Sequence, residues 1–130
     1  MHLLDTSVWI HYLRRPGDES VHELVAGLLD SNRAATCPII ILELLRGASS
    51  PKMFRYLKES LGVLPLFDVS RHVWSRSCEL GFNLRMKGIS IPTTDLIIAA
   101  VAIHEDIPIV SRDRHFELIA SHSSLKSQYV

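Results

Sequence analysis

Apolar residues along this chain form two kinds of run. Short solid blocks bounded by turn residues alternate with longer stretches in which apolar residues recur at helical spacing. The first kind suits strands buried on both faces, and the second suits helices with one buried side. His2–Leu4 reads as the first strand and ends at Asp5, after which Thr6 or Ser7 can cap a helix over Val8–Leu13. Pro16 and Gly17 break that helix. A second helix over about Glu19–Asp30 carries Val21, Leu24, Val25, Leu28 and Leu29 on one side. A short strand near Ala34–Cys37 leads to Pro38, which opens a helix over Ile39–Arg46 closed by Gly47. Pro51 starts a helix over about Lys52–Ser60, and Val63–Phe67 reads as the third strand.

The second half repeats the alternation. Ser70 caps a long helix, Arg71–Met86, which Lys87-Gly88 terminates. Trp74, Cys78 and Phe82 recur every fourth residue and should form one buried stripe. After Pro92, Thr93 or Thr94 caps an apolar helix, Leu96–His104. Ile107–Val110 is the fourth strand, His115–Ala120 a short helix, and Leu125–Val130 a possible edge strand. This order predicts an α/β fold: a three-layer α/β/α sandwich around a mainly parallel sheet.

Length and composition narrow the class without naming a function. The 130 residues suit a single domain over 1–130, large enough to bury a core without disulfides. Lys plus Arg number 14 and Asp plus Glu number 14, so bulk charge does not announce a nucleic-acid partner. A nuclease could still be neutral if carboxylates fill its site and arginines surround it. Cys37 and Cys78 are far apart and outside any CxxC pair, which predicts two buried free thiols in a reducing compartment. The N-terminal stretch does not read as a signal peptide and no apolar run could span a bilayer, so the expected location is cytoplasmic and away from membranes.

The candidate chemistry lies in carboxylates. In open parallel sheets the functional site lies at the carboxyl ends of the strands. Asp5 follows the first strand, Asp113 lies just past the fourth, and Asp95 sits in the first turn of a helix returning to the sheet. Glu43 lies inside the apolar run IIILELLRG. Each alone could be a turn former, a cap or a solvated edge. Several at one end of a sheet would repel one another unless a cation sat among them. Hard oxygen donors select Mg²⁺ or Mn²⁺ over Zn²⁺, and the seven His show no ligand spacing. Such an ion would lower the pKa of water and neutralise a phosphate undergoing in-line displacement.

Four ordered segments carry a resemblance. LLDTSVWIHYL (Leu3–Leu13), IIILELLRGA (Ile39–Ala48), GISIPTTDLIIAAVAI (Gly88–Ile103) and IVSRDRHFELIA (Ile109–Ala120) together resemble the PIN-domain ribonucleases, and within them the VapC-type toxins of toxin–antitoxin modules. The resemblance implies an acidic quartet of Asp5, Glu43, Asp95 and Asp113 around Mg²⁺ or Mn²⁺. Asp5 and Asp95 would be direct ligands and Asp113 a direct or outer one. Glu43 would bind a second metal or hold a metal-bound water. Ser111 would support the site by hydrogen bonding, and Thr6 or Ser7 would do so beside Asp5. It further implies a metal-dependent endoribonuclease that cleaves structured RNA, a homodimer, and a small VapB-like antitoxin that blocks the acidic site. A PIN-type RNA maturation or decay nuclease without an antitoxin is the alternative.

Other residues carry weaker expectations. Of the arginines near element ends (Arg14, Arg15, Arg46, Arg85, Arg112 and Arg114), Arg46, Arg112 and Arg114 are the better candidates for RNA phosphate contacts, since they neighbour Glu43 and Asp113. His115 near Asp113 is a candidate substrate contact. Phosphoacceptor signalling domains of similar size need paired acids at the first strand, a mid-chain acceptor and a late Lys. Here Asp5 stands alone, Asp68 is the one mid-chain candidate, and no Lys directly follows the fourth strand. A phosphatase DxD pattern fails at Ser7.

Overall fold

The structure is a computed structural model that describes every residue except Arg15. Its elements run β1 (His2–Leu4), α1 (Thr6–Leu13), α2 (Glu19–Asp30), β2 (Ala34–Ala35), α3 (Pro38–Arg46), α4 (Pro51–Gly62), α5 (Arg71–Met86), α6 (Thr93–Glu105), β3 (Ile109–Ser111), α7 (Arg114–Ala120) and β4 (Ser127–Tyr129). The strands form one sheet in the order β2-β1-β3-β4, and every pair is parallel. Leu3 pairs with Ile109 and Leu4 with Val110, so residues from opposite ends of the chain make the sheet's centre.

Successive strand residues point to opposite faces. Leu3 and Leu4, and likewise Ile109, Val110 and Ser111, are all buried, so both faces of the sheet are covered. This is the expected α/β/α arrangement. α6 is buried nearly all round from Ile97 to Ala102, and its small side chains let α5 approach closely. Gly81 of α5 marks the contact: a Cβ there would lie 2.8 Å from Leu96 Cδ1. Phe116 of α7 is the largest fully buried side chain and ties α7 into the core.

The structure departs from the sequence reading in local ways. Val63–Phe67 is not a strand; it makes a single parallel bridge, Thr36 to Leu66, beside bonds from the Thr36 N–H to the Pro65 carbonyl (2.9 Å) and the Phe67 N–H to the Thr36 carbonyl (3.0 Å). α4 runs on to Gly62, and Pro65 has no N–H to extend a ladder. The fourth expected strand starts at Ile109, because the Ile107 N–H is spent on the Ala102 carbonyl at the end of α6. The expected stripe of Trp74, Cys78 and Phe82 is exposed; α5 instead buries Val73, Ser77, Leu80 and Leu84. The close approach to α6 selects the side with the slimmer residues. Cys78 is accordingly exposed, whereas Cys37 is buried, and both are free thiols.

Helix starts also differ. Asp5 itself caps α1, and α6 begins at Thr93 after Pro92 with no side-chain cap. α5 ends as expected. Gly88, at φ +78°, takes the left-handed position; its N–H bonds to the Arg85 carbonyl, and the Ile89 N–H to the Leu84 carbonyl (both 2.9 Å). That turn aims the chain at the start of α6. No helix among the described residues is long and apolar enough to cross a membrane.

Candidate active site

β1 is the first strand laid down; β2 lies on one side of it and β3 on the other. The chain therefore switches direction between β1 and β3, and the crevice beyond their carboxyl ends is where such sheets bind ligands. Asp5 follows β1 directly and Asp113 lies two residues beyond β3. α6 and α3 approach the same end of the sheet. α6 brings Asp95 in its first turn, and α3 brings Glu43.

Two of these acids are also caps. Asp5 is the N-cap of α1, and its Oδ2 accepts from the Ser7 N–H (3.0 Å) and the Ser7 hydroxyl (2.5 Å). Asp113 is the N-cap of α7 and its Oδ1 accepts from the His115 N–H (2.9 Å). The capping role and a chemical role thus coexist on the same side chain. Three helix N-termini, those of α1, α6 and α7, carry a carboxylate at this end of the sheet, and their partial positive charge favours it there.

The acids sense one another. Burial pushes the Asp5 carboxyl up to about 6, the two Ser7 bonds oppose that rise, and the charges of Asp95 and Glu43 add to it. Burial also raises Asp95, with the His115 hydrogen bond pulling the other way and Asp113 and Glu43 pushing further up. All four acids therefore share one electrostatic neighbourhood. Among the described residues no Lys or Arg forms an ion pair with any of them. Carboxylates sharing one neighbourhood, with no Lys or Arg paired to them among the described residues, suit a divalent cation.

The supporting hydroxyls divide their work. Ser7 serves Asp5, and its oxygen also accepts the Arg112 N–H (2.9 Å), which ties the end of β3 to the start of α1. Thr6 serves Glu43 rather than Asp5, donating to Oε1 at 3.0 Å. Ser111 is fully buried and exchanges bonds with the backbone of Asp113, donating to its carbonyl (3.2 Å) and accepting its N–H (3.4 Å). It holds the residue's main chain and not its carboxylate.

The arginines are mostly engaged elsewhere. Arg112 pairs with Asp18 at 3.0 Å, and Asp18 in turn caps α2 through Ser20. Arg114 pairs with Glu117 (2.6 Å) and lies 3.6 Å from the centre of the Tyr129 ring. Arg46 is exposed in the last turn of α3. Arg15 falls outside the described residues.

One residue at the site was missed as a candidate ligand. His115 Nδ1 lies 2.9 Å from Asp95 Oδ2 and 3.2 Å from Asp113 Oδ1. The seven His have no ligand spacing among themselves, but one of them meets carboxylates from two other places in the chain. The signal was available: a residue two past an N-cap Asp lies in the first helical turn, beside that carboxylate. Cys37, by contrast, is pushed up to about 11 by burial, so its thiol stays protonated and takes no part.

The PIN domain family model matches residues 2–121. Ribonuclease VapC11 of Mycobacterium tuberculosis is 32% identical over 131 residues, covering 98% of this chain and 97% of that protein. Ribonuclease VapC21 of the same species is 34% identical over 108 residues, covering 78% and 76%. The solved VapBC2 complex from Rickettsia felis, bound to a DNA fragment from its promoter, has a chain that superposes with TM-score 0.78 at 25% identity, covering 98% and 97%. FitAB bound to a DNA fragment gives TM-score 0.84 at 20% identity, covering 99% and 94%, which is a likeness of fold.

Proposed function

This chain belongs to the PIN-domain family, on its VapC ribonuclease branch, and from that premise we propose that it is a divalent-metal-dependent endoribonuclease acting as the toxin of a toxin–antitoxin pair. The observation that carries the reading is the meeting of four acids from distant parts of the chain, without a Lys or Arg to balance them among the described residues.

Asp5, Asp95 and Asp113 would hold the ion, Mg²⁺ or Mn²⁺, and Glu43 would complete the acidic set. When bound, the ion neutralises the scissile phosphate and makes water acidic enough to attack near neutral pH. The protein's part is geometric. Ser7 commits its one proton to Asp5 Oδ2, and no protein hydrogen bond engages Oδ1 among the described residues. Thr6 fixes one oxygen of Glu43, and among the described residues no protein hydrogen bond engages the other, so that oxygen can accept from a water. Ser111 fixes the main chain from which Asp113 projects.

The partners of this reading are RNA and a VapB-like antitoxin, since the Rickettsia felis neighbour was solved as a VapBC complex. A homodimer belongs to the same reading. Arg46 is the freest of the arginines proposed for phosphate contact; Arg112 and Arg114 would have to leave Asp18 and Glu117 first.

The test is RNA cleavage with Mg²⁺ or Mn²⁺ by the wild type and by Asp5→Asn. Loss of about a hundredfold or more in rate is expected, with the far-UV spectrum unchanged. Undiminished cleavage by the variant would remove the mechanism. Induction of the chain alone should arrest growth, with relief by Asp95→Ala or by a co-expressed antitoxin. Harmless induction of an active enzyme would point to a maturation nuclease instead.

A further inference from the structure

The acidic site contains one nitrogen donor that the carboxylate reading leaves without a task. His115 Nδ1 approaches oxygens of Asp95 and Asp113 at 2.9 and 3.2 Å, and the three side chains converge closely enough to share one ion. In an octahedral shell with bonds of about 2.1 Å, neighbouring donor atoms lie about 3 Å apart. The Nδ1-to-oxygen separations already equal such an edge.

The local backbone favours this placement. Asp113 caps α7 by accepting the His115 N–H at 2.9 Å, so the same residue is tied to the site through its main chain and its ring. The Phe116 side chain next to it is fully buried and fixes the start of α7. The ring itself is partly exposed, so it can shed a hydrogen bond for a metal bond without opening the core.

We propose that His115 is a direct ligand of the catalytic cation and biases the site toward Mn²⁺ over Mg²⁺. This rests on the nuclease reading above. Coordination uses the tautomer with its proton on Nε2 and the Nδ1 lone pair turned to the ion. An imidazole donor raises affinity for transition ions, whereas Mg²⁺ holds to oxygen donors and gives up its water reluctantly. A purely carboxylate site lacks that discrimination.

The experiment uses full-length protein without RNA, so that it reads binding and not cleavage. Mn²⁺ affinity is measured from the paramagnetic signal of the free ion, and Mg²⁺ affinity by its competition with Mn²⁺. Pulsed paramagnetic resonance then reports whether a ¹⁴N nucleus is bonded to Mn²⁺. The wild type should show directly bonded nitrogen, and His115→Ala should lose it. The variant's Mn²⁺ affinity should fall about tenfold while Mg²⁺ changes by less than about threefold. Absence of nitrogen coupling in the wild type would overturn the proposal, as would Mn²⁺ affinity that is unchanged or stronger in His115→Ala. Asp95→Asn serves as the separate control. If it binds Mn²⁺ as well as the wild type does, the acidic site itself is misassigned; if it alone loses binding, the site stands and His115 is only its neighbour.

Discussion

Ser7 is the smallest group on which the site depends. Its hydroxyl donates to Asp5 and accepts from the Arg112 N–H, so one oxygen joins the ends of two strands. The charge it steadies is costly. The Asp5 carboxyl sits at about 6 in the folded protein, against about 4 in an unfolded chain. Between those values the folded state holds a proton that the unfolded state has released. Raising pH through that window therefore weakens the fold, and the loss is complete above about 6, with an upper size of about 3 kcal/mol. Urea unfolding in EDTA at several pH values measures it. Asp5→Asn should be the more stable protein above pH 6 under those conditions and should lack the decline assigned to Asp5. Equal pH profiles for the two proteins would show that Asp5 is not strained.

Asp5, Asp95 and Asp113 were legible in the sequence because each follows a strand or opens a helix, where side chains near a sheet's end must lie; Glu43, inside α3, had no such positional signal. The Arg112–Asp18 pair was not legible. The pair depends on which way Arg112 turns after β3, which spacing along the chain does not encode, whereas the place of His115 beside Asp113 was available from its distance to the cap and went unused.

At the level of elements, buried parallel strands and the long helices were readable because their apolar runs admit few alternatives. The errors arose where two answers satisfied the same pattern. α5 has two apolar sides, and the heavier one, with Trp74 and Phe82, stays exposed because close packing on α6 favours the other. Pro65 turned a convincing apolar run into one bridge. The turn from α5 to α6 is a place where a single residue type is required. Gly88 at φ +78° has no steric conflict, whereas a Cβ brings strain. Gly88→Ala should cost about 1 kcal/mol in denaturant unfolding, and Gly88→Asn less, since Asn tolerates the left-handed region. A neutral Gly88→Ala would mean the turn has another conformation.

For the whole molecule, the cation and the fold should be linked. A ligand that binds only the folded chain stabilises it by mass action, about 2.7 kcal/mol at a hundred times its dissociation constant. Mn²⁺ should therefore raise the melting temperature of the wild type and leave that of Asp95→Asn almost unchanged, as read by a thermal scan with and without EDTA. The pairing of β1 with β3 also has a consequence for the order of folding. Asp5 and Asp113 stand more than a hundred residues apart, and only the β1–β3 pairing seats them at one end of the sheet. A fragment cut before residue 109 keeps β1 but lacks the strand beside it, and so has no crevice. Closing the longest loop of the sheet and making the site are one event.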